Sequence, residues 1–320
     1  MIQVHKAIIS CSFVLALTLA ASAQPVSIAT TPAGSFTNSA GAAIAKVISE
    51  KTDLRAVIQA QAMQGQIPVE AGSTDFGISN SFDAAFYVTG TGEYEGQGEH
   101  KNVRLIGSLT PFRVAVHVRA DSDIKSLADL KGKRLSSEFN AQKTIKRIIE
   151  AHLANVGLTY KDVIGVPTPN VLRSSQDFTA GRTDAFLFAV GSAAVKQAAA
   201  KVGGLRVLPV DQSPEALKRV EEILPTAYLI TVKPAPNIEG ITKPTKLVAF
   251  DMVLLANKNV SDETAYKVAK ALHENKDMLK ATFKPFVLFN PANMAKTVKN
   301  VPFHPGALKY YREAGLLPKS

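Results

Sequence analysis

The chain has 320 residues, of which 46% are apolar and 20% are charged, with a formal net charge of +10. This composition is typical of a folded globular protein and excludes a disordered chain or a polytopic membrane protein. Cys11 is the single cysteine, which excludes an intramolecular disulfide and a catalytic thiol in the body of the protein. Basic residues are dispersed without a Lys/Arg-rich run or interleaved aromatics, so nucleic acid is not expected as a partner.

The N-terminus has the pattern of a secretory signal peptide. The positive charge of Lys6 precedes an apolar stretch from Ala7 to Ala21, which is shorter than the ~20 residues that a membrane-spanning helix needs. Small residues then lead to Ala23, where signal peptidase is expected to cut before Gln24. We therefore expect residues 1–23 to be removed and the rest of the chain to reside in the periplasm.

Strand and helix patterns alternate along the rest of the chain. Val26 to Thr30 alternates like a strand, and a Pro/Gly turn then leads to apolar residues at helical spacing. The alternation restarts after Asp121 and continues to a terminal helix that begins near His304. This order predicts an α/β fold with mostly parallel sheets flanked by helices. The glycine-rich run from Gly90 to Gly98 is predicted to be a mobile surface loop.

In such sheets, ligands bind at loops beyond the carboxyl ends of the strands. The loop of residues 31–38 joins a strand to a helix, so its backbone N–H groups and the helix dipole form a cradle for an anion. A capped turn without a ligand role is the alternative for this loop. The loop residues predicted to contact a ligand are Thr31, Ser35, Phe36, Asn80, Ser81, Ser137, Asn140, Val190 and Gly191.

Arg113 is the candidate cation of the site. It follows Pro111 and Phe112 at the mouth of a strand, where a guanidinium could form a bidentate pair with a carboxylate. A solvent-facing strand arginine is the alternative. The sequence contains no hydrolase or metalloprotease motif and no closely spaced His/Asp/Glu cluster, so no catalytic residue, metal or cofactor is expected. A secreted enzyme is the lesser alternative.

Several segments together resemble the TAXI family of TRAP-transporter solute receptors. The resemblance covers essentially the whole chain after the signal peptide. Its most specific part also occurs in other two-lobed periplasmic receptors, including those of ABC transporters. The segments that carry it are Ser79 to Ser81 after a D-F-G-I strand, Val116 to Arg134, Gly181 to Phe186, and His304 to Tyr311.

One loop of the second half departs from the family pattern. Ser137 to Gln142 stands where the family usually has a P-P-G-S-G-T type turn, so Glu138 and Phe139 are expected near the cleft. Asn80 and Asn140 are expected to supply neutral hydrogen bonds from opposite sides of it.

The resemblance implies a two-lobed periplasmic binding protein of the type II Venus-flytrap kind. Lobe one is expected to comprise residues 24–118 and 229–320, and lobe two residues 119–228, with hinges near Val118 and Tyr228. Such a receptor binds a small organic anion between its lobes and delivers it, as a monomer, to TRAP-type membrane permease subunits. The alternatives are an ABC-transporter receptor or a ligand-sensing subunit of the same fold.

Overall fold

The computed structural model of the chain describes residues 24–61 and 63–318, so the predicted signal peptide lies outside the described residues. The strands are β1 (Gln24–Thr30), β2 (Leu54–Ala60), β3 (Phe76–Asn80), β4 (Val103–Arg119), β5 (Arg134–Glu138), β6 (Ile164–Thr168), β7 (Ala185–Ala189), β8 (Leu205–Val207), β9 (Tyr228–Val232) and β10 (Thr245–Asn257). The α-helices are α1 (Phe36–Lys51), α2 (Gln66–Glu70), α3 (Ser81–Thr89), α4 (Thr144–Asn155), α5 (Val171–Thr179), α6 (Ala193–Val202), α7 (Pro214–Ile223), α8 (Asp262–Glu274), α9 (Lys276–Thr282) and α10 (Pro305–Glu313).

The strands form one sheet in the order β2-β1-β3-β10-β4-β7-β5-β6, with β8 beside β4 and β9 beside β10. At one end, β1 is parallel to β2 and β3, and at the other end β5 is parallel to β6 and β7. The long strands β4 and β10 join the two parallel sets through antiparallel pairs. The predicted α/β fold, with helices flanking the sheet, is therefore confirmed.

Strand β4 contributes to both ends of the sheet. Its 17 residues exceed the usual strand length of about five or six. Residues 103–114 pair with β10, whereas residues 114–118 pair with β7. The register between β4 and β10 shifts near Asp251, and such irregularities bend a strand and increase its twist. One strand thus carries side chains from the first parallel set to the second.

Helix α1 is held with its N-terminus at the carboxyl end of β1. Ser35 is its N-cap, and its hydroxyl accepts a hydrogen bond of 3.2 Å from the backbone N–H of Asn38. The preceding Gly34 has a φ of 88°, a conformation that glycine adopts without steric cost. At Gly41 a Cβ would collide with Thr30, so this glycine lets α1 pack directly on β1.

Two helices of the C-terminal segment begin at capping residues. Ser261 caps α8 by accepting from the N–H of Thr264 at 3.1 Å, and His304 caps α10 by accepting from the N–H of Gly306 at 3.2 Å. Within the described residues, no helix combines the length and the apolar character that a bilayer crossing requires.

Candidate ligand-binding site

A cavity of about 50 Å³ lies where the carboxyl ends of β1, β3 and β7 meet. This volume would hold only a few water molecules. Loop residues 31–37 and strand residues 78–80 contribute one part of its wall, and residues 142–148 and 187–189 contribute the opposite part. The position agrees with the rule that ligands of α/β sheets bind at strand carboxyl ends.

Apolar side chains form most of the cavity wall. Phe112 and Val114 reach it from the same face of β4, because alternate residues of a strand point to the same side. The ring of Phe36 packs edge to face on Phe112 with a centroid distance of 4.8 Å. Leu187 and Phe188 complete the wall from β7. Such a surface favours a ligand with an apolar body.

Three hydroxyl groups line the cavity at the start of α1. Thr31 Oγ1 donates to Ser35 Oγ at 2.7 Å and also contacts the hydroxyl of Thr37. The Thr37 hydroxyl accepts from the backbone N–H of Thr31 at 3.2 Å. This loop is therefore a capped turn and part of the cavity wall at the same time.

Asp83 is the acidic residue of the cavity wall, and it is held by a buried network. Its carboxylate accepts hydrogen bonds of 2.8 Å from Gln66 Nε2 and from the Tyr94 hydroxyl, and Ser79 Oγ donates to Gln66 Oε1 at 2.8 Å. Burial raises the pKa of Asp83 to about 6. Tyr94 anchors the glycine-rich segment 90–98 at this network, whereas residues 95–98 are exposed at the surface. The mobility expected of this loop stays a prediction.

Two buried amide side chains face the cavity with one polar atom each unpaired. Gln64 Nε2 donates to Thr144 Oγ1 at 3.1 Å, and Gln142 Oε1 accepts from the backbone N–H of Val171 at 3.0 Å. Within residues 24–61 and 63–318, neither Gln64 Oε1 nor Gln142 Nε2 has a hydrogen-bond partner. Gln64 is 7% exposed and Gln142 is 1% exposed. Buried polar atoms are normally paired, so these two atoms are available to a ligand.

The structure brings some of the predicted contact residues to this cavity and leaves others away from it. Thr31, Ser35, Phe36 and Asn80 line the wall. The predicted residues outside the lining are Ser81, Arg113, Ser137, Asn140, Val190 and Gly191.

Arg113 lies between Phe112 and Val114 on β4, so its side chain leaves the opposite face of the strand. It is only 8% exposed, and burial lowers its pKa. Among the described residues, no acidic side chain forms an ion pair with it. The carboxylate pair expected at Arg113 stays a prediction, and this cavity does not contain it.

The loop after β5 differs from its expected arrangement. Glu138 and Phe139 have φ values of 68° and 49°, in the left-handed region that such residues rarely adopt. Phe139 is fully buried in a hydrophobic cluster instead of forming part of the cleft. Asn140 is exposed, whereas Gln142 reaches the cavity. Neither position is a glycine, the residue that usually marks left-handed backbone, so the sequence pattern did not indicate this conformation.

Gln64, Asp83 and Gln142 were not among the predicted contacts. Gln142 closes a loop that the sequence had marked as a binding loop, so its position alone could have drawn attention to it. Gln64 and Asp83 carry no local signal, because each reaches the cavity only through the packing of distant segments.

Solved structures of similar fold are periplasmic binding proteins. BugD has a TM-score of 0.58 and 12% identity, with 92% of this chain and 98% of BugD covered. The alkanesulfonate-binding protein SsuA from Xanthomonas axonopodis pv. citri, bound to MOPS, has a TM-score of 0.52 and 16% identity, with 94% and 96% covered. At these identities the likeness concerns the fold.

A protein-family comparison covers most of the sequence. Residues 28–315 match the NMT1-like family, a span that includes every strand and helix from β2 to α10. The TAXI assignment is finer than this match and stays a prediction. On the extent of the match and the agreement of the fold, the chain belongs to the NMT1-like family.

Proposed function

We propose that the protein is an extracytoplasmic receptor that binds a small organic solute in the cavity and delivers it to a membrane permease. The observation that carries this proposal is that two separate parts of the sequence supply the residues of the cavity wall. Residues 31–114 supply one part and residues 142–189 the other, and these belong to the two lobes predicted from the sequence. Membership of the NMT1-like family and the fold of periplasmic binding proteins support it.

Contacts near the cavity support a two-lobed receptor in its closed arrangement, with residues 24–118 and 229–320 as lobe one and 119–228 as lobe two. A ligand that touches both lobes stabilises the closed state by its higher affinity for that state. Besides the pairing of residues 114–118 with β7, the segments are joined near the cavity by Gln64 with Thr144, Glu93 with Arg147, Gly34 with Ala194, and Ser81 with Thr226.

The lining favours a solute with an apolar body and at most one negative charge. Among the described residues that line the cavity there is no Lys, Arg or His, and the buried carboxylate of Asp83 repels further anions. An organic anion, which the family resemblance implies, would have to use the backbone N–H groups at the start of α1.

The proposed partner is a TRAP-type permease, because the four segments taken together resemble the TAXI receptors of TRAP transporters. An ABC permease or a membrane sensor is the alternative. Co-expression of this chain with large and small TRAP membrane subunits, followed by uptake measurements, distinguishes them. Solute uptake that requires this chain and the TRAP subunits supports the proposal, and uptake that requires an ATPase instead contradicts it.

Binding itself is tested on residues 24–320 with a library of small organic solutes. A binding solute should raise the melting temperature, and small-angle scattering at saturation should show a smaller radius of gyration. An unchanged radius would argue for a rigid site within one lobe, and conversion of the solute to a product would argue for an enzyme. Asn80→Ala should weaken binding because Asn80 lines the cavity, whereas Asn140→Ala, at an exposed position, should not.

A further inference from the structure

We propose that Gln64 and Gln142 together recognise an uncharged group with a hydrogen-bond donor beside an acceptor, such as a carboxamide or a lactam. The inference rests on the proposed solute-binding function and specifies the chemical class of the solute. It is carried by two residues that line the same cavity, each of which has one buried amide atom without a hydrogen-bond partner in the described part of the chain.

The orientation of the Gln142 amide is set by the protein backbone. Its Oε1 accepts from the N–H of Val171 at 3.0 Å, and an N–H group can only donate. A flipped amide would place its NH₂ against that N–H. The atom that Gln142 offers to the cavity is therefore a donor, Nε2.

The orientation of the Gln64 amide is given by its hydrogen bond to Thr144. Gln64 Nε2 is the atom that bonds to the Thr144 hydroxyl, and an amide NH₂ group can only donate, so the hydroxyl oxygen is the acceptor of this bond. The distance between the two atoms is 3.1 Å. The atom that Gln64 offers to the cavity is therefore an acceptor, Oε1.

The two amides line the same cavity and are linked through Thr144. Gln64 bonds directly to Thr144, which follows Gln142 by two residues in the same loop and helix start. A carboxamide can donate its N–H to Gln64 Oε1 and accept from Gln142 Nε2. A carboxylate of the same shape would place an oxygen against Gln64 Oε1, leaving that buried acceptor unpaired.

Charge around the cavity favours the same class. The described lining residues include no Lys, Arg or His to neutralise a ligand anion. The apolar wall suits an aliphatic or aromatic body attached to the uncharged group.

The experiment measures the affinity of residues 24–320 by calorimetry for acetamide, acetate and acetamidinium, which suit the volume of about 50 Å³, and for the matched amides and acids up to isobutyramide. We expect at least one carboxamide to bind at least tenfold more tightly than its carboxylate. Gln142→Leu should weaken carboxamide binding at least tenfold. Gln142→Glu replaces the donor by an acceptor, so it should shift the preference from the carboxamide to the amidinium.

Asn140→Ala is the matched control, because Asn140 is exposed in the same loop and outside the lining. It should change no affinity in the series. The comparison of carboxamide and carboxylate affinities uses the unaltered protein, so it tests the inference even if a variant fails to fold. Carboxylates that bind as tightly as their amides, or tighter, would overturn this inference and leave the receptor function standing. If neither the amides nor any solute of the wider library binds, both this inference and the proposed receptor function are overturned.

Discussion

Arg147 on α4 and Glu93 in the turn of residues 92–94 form an ion pair with an Nε to Oε1 distance of 2.5 Å. The side chains are 23% and 14% exposed, so the pair is largely shielded from water. The guanidinium also lies over the ring of Phe86, 5.0 Å from its centroid. Glu93 and Arg147 belong to different predicted lobes, so this pair should hold only in the closed arrangement.

Glu93→Gln should weaken closure. Loss of a charge-assisted hydrogen bond costs about 1.5–3 kcal/mol, and this cost falls on the closed state alone. Solute affinity should therefore drop, and scattering without solute should give a larger radius of gyration. Glu99→Gln is the control, because the pair of Glu99 with Lys101 is exposed and lies within one segment. Equal affinities for Glu93→Gln and the unaltered protein would refute a role in closure.

Asp83→Asn should remove a pH dependence of stability. The pKa of Asp83 is raised from 3.8 to about 6, so its protonated form is favoured by folding. The protonated carboxyl group contributes fully to the free energy of unfolding below pH 3.8, and this contribution is lost as the pH rises to about 6. The loss amounts to a value on the order of 3 kcal/mol. Asparagine keeps one acceptor for Gln66 and offers a donor to the Tyr94 hydroxyl.

Urea unfolding of both proteins between pH 4 and pH 8 measures this difference. The unaltered protein should lose stability relative to Asp83→Asn across the interval from about pH 4 to pH 6. A constant difference over that interval would mean that the carboxyl group is not desolvated in the folded protein.

His117→Phe should make the protein more tolerant of acid. His117 is fully buried beside Phe186, and within the described residues neither ring nitrogen has a partner. Burial lowers its pKa from 6.5 to about 4, so its neutral form is favoured by folding. The neutral ring contributes fully to the free energy of unfolding above pH 6.5, and this contribution is lost as the pH falls to about 4. The loss is on the order of 3 kcal/mol.

Thermal unfolding at pH 5 and pH 7.5 tests this expectation. The melting temperature of His117→Phe should fall less on acidification than that of the unaltered protein. Nuclear magnetic resonance provides an independent measurement, because the His117 ring signals should not titrate between pH 5.5 and pH 8. A ring that titrates near pH 6.5 would contradict the prediction.

Arg113→Met should stabilise the protein in the absence of solute. The arginine is 8% exposed and has no ion-pair partner among the described residues, so its desolvation is not offset by a charge. Replacing even a buried ion pair by apolar side chains of similar volume is often neutral or stabilising by about 1–4 kcal/mol, and Arg113 has no pair to lose. Arg119→Met, at the exposed end of the same strand, should change stability by less than about 0.5 kcal/mol.

Denaturant unfolding measures both variants. A less stable Arg113→Met protein would mean that the guanidinium makes contacts that offset its burial. Affinity measured on the same variant also tests the carboxylate pair predicted from sequence, because loss of such a pair should cost about 2–5 kcal/mol of binding. A solute held in the cavity alone should bind Arg113→Met unchanged.

Much of the fold could be predicted because its signals are local. A Pro/Gly turn before an apolar helical spacing predicted the helix that follows β1, and His304 before a proline predicted the start of α10, as the structure confirms. The pairing of β4 and β10 was less accessible. Antiparallel partners more than 100 residues apart leave no short-range pattern, and only their register fixes which face Arg113 occupies.

The sequence by itself determined the α/β alternation, the helix caps and the loops that form the cavity wall, since each depends on neighbours within a turn or a strand. The tertiary structure decided which polar atoms those loops leave unpaired. The contact of Gln64 with Thr144 spans 80 residues, and Gln142 depends on the backbone of a following helix. Burial and hydrogen-bond pairing are properties of the packed chain, so the chemistry of the cavity emerged only when distant segments were brought together.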